Sequence, residues 1–127
     1  MSRIGARENL MQLVFGLNFK DVLEESEDLY LNKNLTEEDK EYIFSSLNGI
    51  KNNYNDIISL IEDNLVKYNL DRICKTDLAI LIVSIYEIKY LNMPNKVVIN
   101  EAVELAKKYS TENSYKFVNG LLARLVN

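Results

Sequence analysis

Apolar residues recur at helical intervals along most of the chain, and the first run lies close to the N-terminus. Its apolar positions share one face of a helix: Ala6, Leu10, Leu13, Val14 and Leu17. Such a stripe is typical of an amphipathic helix that packs on a core. It predicts a first helix over about residues 4–19, with Glu8, Asn9 and Gln12 on the opposite side.

Helix starts and breaks divide the next part of the chain. Residues 20–35 are acidic and irregular, and they predict one short helix with uncertain ends. Thr36 followed by three acids is a typical helix start, because a hydroxyl caps the first turn and carboxylates favour its dipole. The helix is expected to break at Asn52 and Asn53. A further helix follows, whose apolar face is Ile57, Ile58, Ile61, Leu65 and Tyr68.

The second half of the chain contains the most apolar helix. The stretch from about Lys75 to Tyr90 is apolar nearly all round, which predicts a helix at the centre of the fold. Pro94 disfavours helix in the residue before it and so ends this element. The next helix is predicted to turn five residues inward: Val98, Ala102, Leu105, Ala106 and Tyr109. Glu104 and Lys108 are expected to pair on its outer side, and a last helix starts near Ser114.

The composition agrees with an all-α protein. With 127 residues, 47% apolar residues and one proline, the chain suits one domain or two tightly joined halves, with a shift in composition near 68–71. Cys74 is the only cysteine, which excludes an intrachain disulfide and favours a reducing compartment. Because we find no signal peptide and no long apolar run, we expect a cytoplasmic protein.

The charge is unevenly distributed along the chain. The net charge of −4 argues by itself against nucleic-acid binding. Residues 1–20 carry +2, however, residues 21–65 carry −9 and residues 66–127 carry +3. Two mildly basic ends around an acidic middle are compatible with one basic face and a separate acidic face.

The sequence offers little chemistry for catalysis. It contains no histidine, and its single cysteine cannot form a thiolate zinc site. Its four glycines lie too far apart to cradle a phosphate. Carboxylates are plentiful, but most have an explanation as helix starts or surface residues. We therefore expect no enzyme activity, no metal and no cofactor.

The last helix carries an unusual mixture of side chains within six positions: Tyr115, Lys116, Phe117, Asn119 and Gly120. Cations bind phosphates, aromatic rings stack on exposed bases, and amides read base edges. This mixture favours contact with RNA. Structural roles stay open beside it: core packing for Phe117, a hydrogen bond to a loop for Asn119, and a helix contact for Gly120.

Arg3 and Arg7 lie one turn apart on the first helix. If the first and last helices lie side by side, both arginines join Lys116 in one cationic patch. Under this hypothesis Arg7 contacts a phosphate, and its removal weakens RNA binding and lowers the salt dependence.

These residues carry a family resemblance over nearly the whole chain. The chain resembles the NusB family of transcription antitermination factors, most strongly in PNKVVINEAVELAKKY and SYKFVNG between Pro94 and Gly120. The match continues in Asp77–Leu81 with Tyr86-Glu87, and in Ala6-Arg7-Glu8 with Gln12.

The resemblance implies a fold and a task. The fold is all-α, with two small packed helical bundles, about 1–70 and 71–127, and about six to seven helices. The task is binding of the boxA element in ribosomal RNA transcripts together with NusE, a ribosomal small-subunit protein. That complex joins the RNA polymerase elongation complex and other Nus factors, and suppresses premature termination.

The resemblance also implies roles for single residues. Arg3 and Arg7 match arginines of the family's RNA-binding N-terminus. The lysine, phenylalanine and asparagine of the family's KFVNG run are Lys116, Phe117 and Asn119. Tyr115 replaces a usual histidine and can still stack on a base. On the protein-binding side, Asp77 matches an acidic position that faces the partner, and Phe15 matches an aromatic near that face, without the usual hydroxyl.

Other positions depart from the family pattern. Ile4 and Gly5 follow Arg3 where many members have consecutive arginines, so the patch has lost cationic charge. Leu78 and Ile82 stand where arginines are frequent. Asn113 replaces a common aspartate, and loss of an anion beside RNA favours binding.

Two other hypotheses compete with an RNA-binding antitermination factor. The first is a protein-only helical adaptor without direct RNA contact, which the net acidity and the missing arginine favour. The second is an accessory domain of an enzyme, since NusB-like domains also precede RNA methyltransferase domains. The lack of a cofactor loop disfavours the second hypothesis.

Overall fold

The computed structural model describes residues 3–19, 35–66 and 69–127. Six α-helices lie in these ranges: α1 (Arg3–Phe19), α2 (Glu37–Asn52), α3 (Tyr54–Asp63), α4 (Lys75–Lys89), α5 (Asn95–Tyr109) and α6 (Ser114–Val126). A 3-10 turn, Leu70–Arg72, precedes α4. The described ranges contain no strand, and the prediction of an all-α fold is confirmed. The helix predicted within 20–35 and the inward position of Tyr68 lie outside the described residues.

The start of α2 shows why this segment is helical. The backbone N–H of Asp39 donates to Thr36 Oγ1 at 3.1 Å, and the backbone N–H of Thr36 donates to Asp39 Oδ2 at 3.3 Å. This reciprocal capping box satisfies two backbone donors that a helix start otherwise leaves unpaired. The helix ends at Asn52, and the side chain of Asn53 donates to the Gly49 carbonyl at 2.8 Å. The predicted start and break are therefore both confirmed.

Helix α4 is the centre of the fold, as its apolar sequence predicts. It packs against all five other helices, and every residue from Ala79 to Ile88 is buried. Ser84 is satisfied within the helix, because its hydroxyl donates to the Ile80 carbonyl at 2.7 Å. One connected apolar core includes residues from both halves of the chain, and α1 packs on α4 across the candidate boundary. The division into bundles 1–70 and 71–127 stays a prediction.

The predicted inner face of α5 is correct except at its end. Val98, Ala102, Leu105 and Ala106 are buried, whereas Tyr109 is 39% exposed. The inward prediction for Tyr109 is wrong because α5 ends at this residue and its hydroxyl reaches a carboxylate on α1. Lys108 also differs from expectation: it pairs with Glu8 of α1 and not with Glu104.

Helix α2 and helix α4 approach closely at Gly49. A Cβ atom built on Gly49 collides with the ring and hydroxyl of Tyr86. Tyr86 is only 7% exposed and stacks on Tyr90 with ring centroids 5.5 Å apart, so its ring has little room to move. Gly49 is therefore the residue that lets the two helices pack at this distance.

We expect Gly49→Ala to destabilise the protein by about 1–3 kcal/mol, the usual cost of inserting a methyl group into a packed site. Urea unfolding measures this loss. Gly120→Ala is the matched control, because it also lies inside a helix but its added Cβ meets only Arg124 Nη1 at 3.4 Å. That variant is expected to be neutral or more stable by about 0.5–1 kcal/mol. Equal effects of the two substitutions would contradict the steric explanation.

None of the helices in the described ranges is both long enough and apolar enough to cross a membrane.

Candidate nucleic-acid interface

Arg7 lies inside the fold and not on its surface. Its Nε donates to Glu87 Oε1 at 2.8 Å and to Oε2 at 3.0 Å. The Tyr42 hydroxyl donates to the same Oε2 at 2.6 Å. The side chains of Arg7 and Glu87 are 4% and 0% exposed. The group joins α1, α2 and α4 through charge-assisted hydrogen bonds.

The environment keeps Arg7 charged. Burial lowers the pKa of its guanidinium, but the hydrogen bond to Glu87 and the charge of Glu87 outweigh this effect, so the pKa is raised. Its Nη1 also lies 3.7 Å from Glu101 Oε2 on α5. The structure thus brings Arg7 to two carboxylates, and in this arrangement the guanidinium is not presented to a phosphate. The prediction for the Arg3 side chain lies outside the described residues.

The first and last helices do not form the side-by-side pair that the sequence hypothesis assumed. Helix α1 packs mainly on α4 and α2, whereas α6 packs mainly on α5 and α4. The reason is the short connection 110–113, which folds α6 back against α5. Both helices instead reach the C-terminal end of α5: Glu8 of α1 binds Lys108, and Tyr115 of α6 lies beside Lys107.

Helix α6 presents three of its four predicted binding residues on one side and the fourth, Phe117, on another. At about 100° per residue, Tyr115 and Asn119 point in similar directions, Lys116 lies beside them, and Phe117 lies about 200° from Tyr115. Lys116 and Asn119 are exposed, and Tyr115 and Phe117 are half-buried against the core. The structure therefore brings Tyr115, Lys116 and Asn119 together on one side of α6 and directs Phe117 to the side nearly opposite Tyr115.

Two lysines flank the Tyr115 ring. Lys107 Nζ lies 5.2 Å and Lys116 Nζ lies 6.0 Å from the ring centroid. Both lysines are exposed, and the ring is half-buried. This cluster, which we call the lysine–tyrosine cluster (Lys107, Tyr115 and Lys116), combines cations for phosphates with an aromatic plane for a base. Lys107 was not among the binding residues predicted from the sequence, although its place at the end of α5 beside the turn was a usable signal.

Phe117 faces a cleft of about 250 Å³ between the start of α4 and the turn that joins α5 to α6. The cleft is lined by Arg72, Ile73, Cys74, Asp77, Thr111, Asn113, Ser114 and Phe117. Arg72 and Asn113 are exposed, so the cleft has a polar mouth beside a half-buried ring. An arrangement of this kind suits a single unstacked base, which can stack on the ring and form hydrogen bonds at the mouth of the cleft.

Asp77 holds the turn and does not point outward. Its side chain is 5% exposed, and its Oδ1 accepts a hydrogen bond from Ser110 Oγ at 2.7 Å. The Ser110 hydroxyl lies 2.8 Å from Ser114 Oγ, which lies 2.8 Å from Thr111 Oγ1. Asp77 thus sets the turn that precedes α6. Phe15, the other residue predicted to face a partner protein, is half-buried on α1.

The described ranges hold no group of histidine, cysteine, aspartate and glutamate side chains that is arranged to bind a metal ion. The exposed side chains of the interface offer positive charge and hydrogen-bonding groups, and they lie on α5, on α6, in the turn between them and at Arg72.

The chain is similar to known proteins over nearly its full length. A family model described as the NusB family matches residues 5–127. The transcription antitermination protein NusB of Clostridium novyi (strain NT) is 42% identical over 132 residues, which cover 99% of this chain and 98% of the relative. The structure of T. maritima NusB is 34% identical with a TM-score of 0.91, and the match covers 98% of this chain and 90% of that one.

A third likeness concerns the fold alone. A chain in the crystal structure of the antitermination factors NusB and NusE in complex with dsRNA is 24% identical to this one, with a TM-score of 0.81. The match covers 97% of this chain and 94% of that chain. The family model, the similar sequence and the similar structures agree along nearly the entire length, and the chain belongs to the NusB family.

Proposed function

We propose that this protein is a transcription antitermination factor that binds boxA RNA of ribosomal RNA transcripts together with NusE. The observation that carries the proposal is the lysine–tyrosine cluster, which presents two exposed cations around an aromatic ring at the junction of α5 and α6. Membership of a family of antitermination factors supports it, as does the similarity of fold to a chain in the crystal structure of NusB and NusE in complex with dsRNA.

In the proposed mechanism, some side chains of α5 and α6 bind phosphates and others bind bases. Lys107 and Lys116 neutralise phosphates, which supplies most of the affinity and makes it depend on salt. Tyr115 and Phe117 stack on unpaired bases, and the side-chain amide of Asn119 forms hydrogen bonds with a base edge. Because Phe117 lines the cleft beside Arg72, we place one base at the mouth of that cleft.

Arg7 and Asp77 receive different roles from those implied by the resemblance. Arg7 fixes α1 on the core through Glu87, so we propose that it positions the RNA surface and does not touch RNA. Asp77 fixes the turn before α6 through Ser110, so we propose that it positions Asn113 and Phe117. Arg3 and Phe15 remain proposed contacts, with RNA and with NusE respectively.

The remaining parts of the proposal follow from the family. The protein acts as an adaptor without catalysis, within the cytoplasm, and joins RNA polymerase and other Nus factors through NusE. The competing candidate is a protein-only adaptor, which the excess of acids in the described residues 35–66 favours. The two candidates differ in whether this chain itself contacts RNA.

Binding to a short single-stranded RNA that contains boxA distinguishes them. We expect binding that tightens when NusE is present and weakens as salt rises. In Lys107→Gln/Lys116→Gln, the slope of log affinity against log salt is expected to become shallower by about 1.4, the share of two phosphate contacts on a single strand.

The matched control is Lys89→Gln/Lys96→Gln, which removes two exposed lysines elsewhere on the surface. Lys96 lies in the first turn of α5, about 16 Å along the helix from Lys107. The control is expected to change the slope much less. Binding of NusE with no RNA contact by this chain would overturn the proposal in favour of the protein-only adaptor.

A further inference from the structure

Glu8 occupies a small anion site at the surface where α1 meets α5. Its Oε1 accepts a hydrogen bond from Lys108 Nζ at 2.6 Å and another from the Tyr109 hydroxyl at 2.9 Å. The side chain of Glu8 is 20% exposed, whereas that of Lys108 is 61% exposed. One carboxylate oxygen therefore sits between two donors that remain open to solvent.

The two donors suit a phosphate as well as a carboxylate. A non-bridging phosphate oxygen is an anionic acceptor, and lysine and tyrosine both donate to the backbone of nucleic acids. The hydrogen bond to Glu8 raises the pKa of Lys108 above its ordinary value, and that ordinary value already keeps the ammonium charged at neutral pH. The ammonium also lies 5.2 Å from the centroid of the Tyr109 ring, which keeps the two donors together.

This site lies next to the lysine–tyrosine cluster, because both are built at the C-terminal end of α5. Lys107 and Lys108 are consecutive residues at the end of α5, so their side chains point to different sides of the helix, about 100° apart. Lys107 reaches Tyr115 on α6, and Lys108 reaches Glu8 on α1. A strand bound by the cluster and continuing across the end of α5 meets Lys108 and Tyr109 next.

We propose that Lys108 and Tyr109 form a second phosphate site for the bound RNA strand, and that Glu8 fills this site in the free protein and leaves it when RNA binds. This inference rests on the proposed function. An exposed ion pair is weak enough for a phosphate to displace, because solvent already screens the attraction. Glu8 thus acts as an internal competitor that lowers RNA affinity at this site.

Removal of the Glu8 carboxylate is therefore expected to improve RNA binding, although Glu8 belongs to the run Ala6-Arg7-Glu8 that resembles the family. Glu8→Gln keeps the shape and the acceptor for Tyr109 but releases Lys108. We expect its affinity for single-stranded boxA RNA to rise about two- to fivefold, the range set by an exposed ion pair. The slope of log affinity against log salt is expected to steepen by about 0.7, because one more cation is available to a phosphate.

Two further variants separate this mechanism from a general change in charge. Glu104→Gln removes one exposed acid from α5 one turn before Lys108, and it is expected to change affinity less than Glu8→Gln does. Lys108→Gln is expected to weaken binding, and Glu8→Gln is expected to have no further effect in that background. Thermal melting establishes that each variant is folded, and Glu8→Ala serves as the second variant at that position.

The outcomes distinguish failure of the second phosphate site from failure of the proposed RNA-binding function. Equal affinity of the wild type and Glu8→Gln, an equal gain in Glu104→Gln, or a gain that persists in Lys108→Gln overturns the phosphate site and leaves the proposed function intact. Failure of the wild type to bind RNA, with or without NusE, overturns both.

Discussion

Arg7→Ala is expected to lower the free energy of unfolding by about 3–5 kcal/mol, the cost of removing one partner from a buried ion pair. The substitution leaves Glu87 without its guanidinium at a site where the carboxylate is 0% exposed. Among the described residues, only the Tyr42 hydroxyl then remains as a donor to that carboxylate. Since small proteins are stable by about 5–15 kcal/mol, this single change removes a large part of the total.

Urea unfolding followed by circular dichroism measures the loss. Lys40→Ala is the matched control, because Lys40 pairs with Glu37 at 3.7 Å in an exposed position, and its removal is expected to cost at most about 1 kcal/mol. Arg7→Met/Glu87→Gln removes both charges and keeps most of the volume, so it is expected to be more stable than Arg7→Ala. A loss below about 1 kcal/mol in Arg7→Ala would show that the buried Glu87 carboxylate does not need the Arg7 guanidinium to compensate its charge.

The same variant decides how Arg7 serves RNA binding. If Arg7 only positions α1, folded Arg7→Ala binds RNA with the salt slope of the wild type, because the number of phosphate contacts is unchanged. A slope that is shallower by about 0.7 would restore Arg7 as a phosphate contact. The measurement therefore separates the hypothesis drawn from the family motif from the role that the geometry indicates.

The helices were predictable because their signals are local. The capping box of Thr36 and Asp39 lies within four residues, and the apolar surface of α4 is continuous along one segment. Periodicity and caps of this kind act within a turn or two, so the sequence itself contains the relevant contacts. The break at Asn53 follows from the same local rules, whereas α4 ends at Lys89, five residues before Pro94, so this proline is not what ends the helix.

The partners of the charged residues were not predictable in this way. Arg7 and Glu87 are 80 residues apart, and Glu8 and Lys108 are 100 residues apart. Sequence spacing suggested Glu104 as the partner of Lys108, because it considers only neighbours on one helix. Which charges meet across helices depends on how the helices pack, and that packing placed α1 on α4 and not on α6. The residue types indicated contact with RNA, but only the fold shows that Arg7 is buried and that Lys107 is exposed.

Phe117→Leu is expected to weaken binding of single-stranded boxA RNA by about 1–3 kcal/mol, the usual contribution of stacking one base on an aromatic ring. This corresponds to a loss of about 5- to 150-fold in affinity. Phe117 is half-buried and packs against the core while it lines the cleft with Arg72 and Asn113. Leucine retains much of the packing but offers no flat face, so the substitution tests the ring and not the fold.

Phe44→Leu is the matched control for this test. Phe44 is also half-buried, but it lies on α2, which packs on α1, α3 and α4. Because the chemical change is the same, any general loss from replacing a phenylalanine appears in both variants. We expect the salt slope to stay unchanged in Phe117→Leu, since stacking releases no counterions from phosphates. Unchanged affinity in Phe117→Leu, or an equal loss in Phe44→Leu, would exclude Phe117 as a stacking platform and leave its ring as a part of the core.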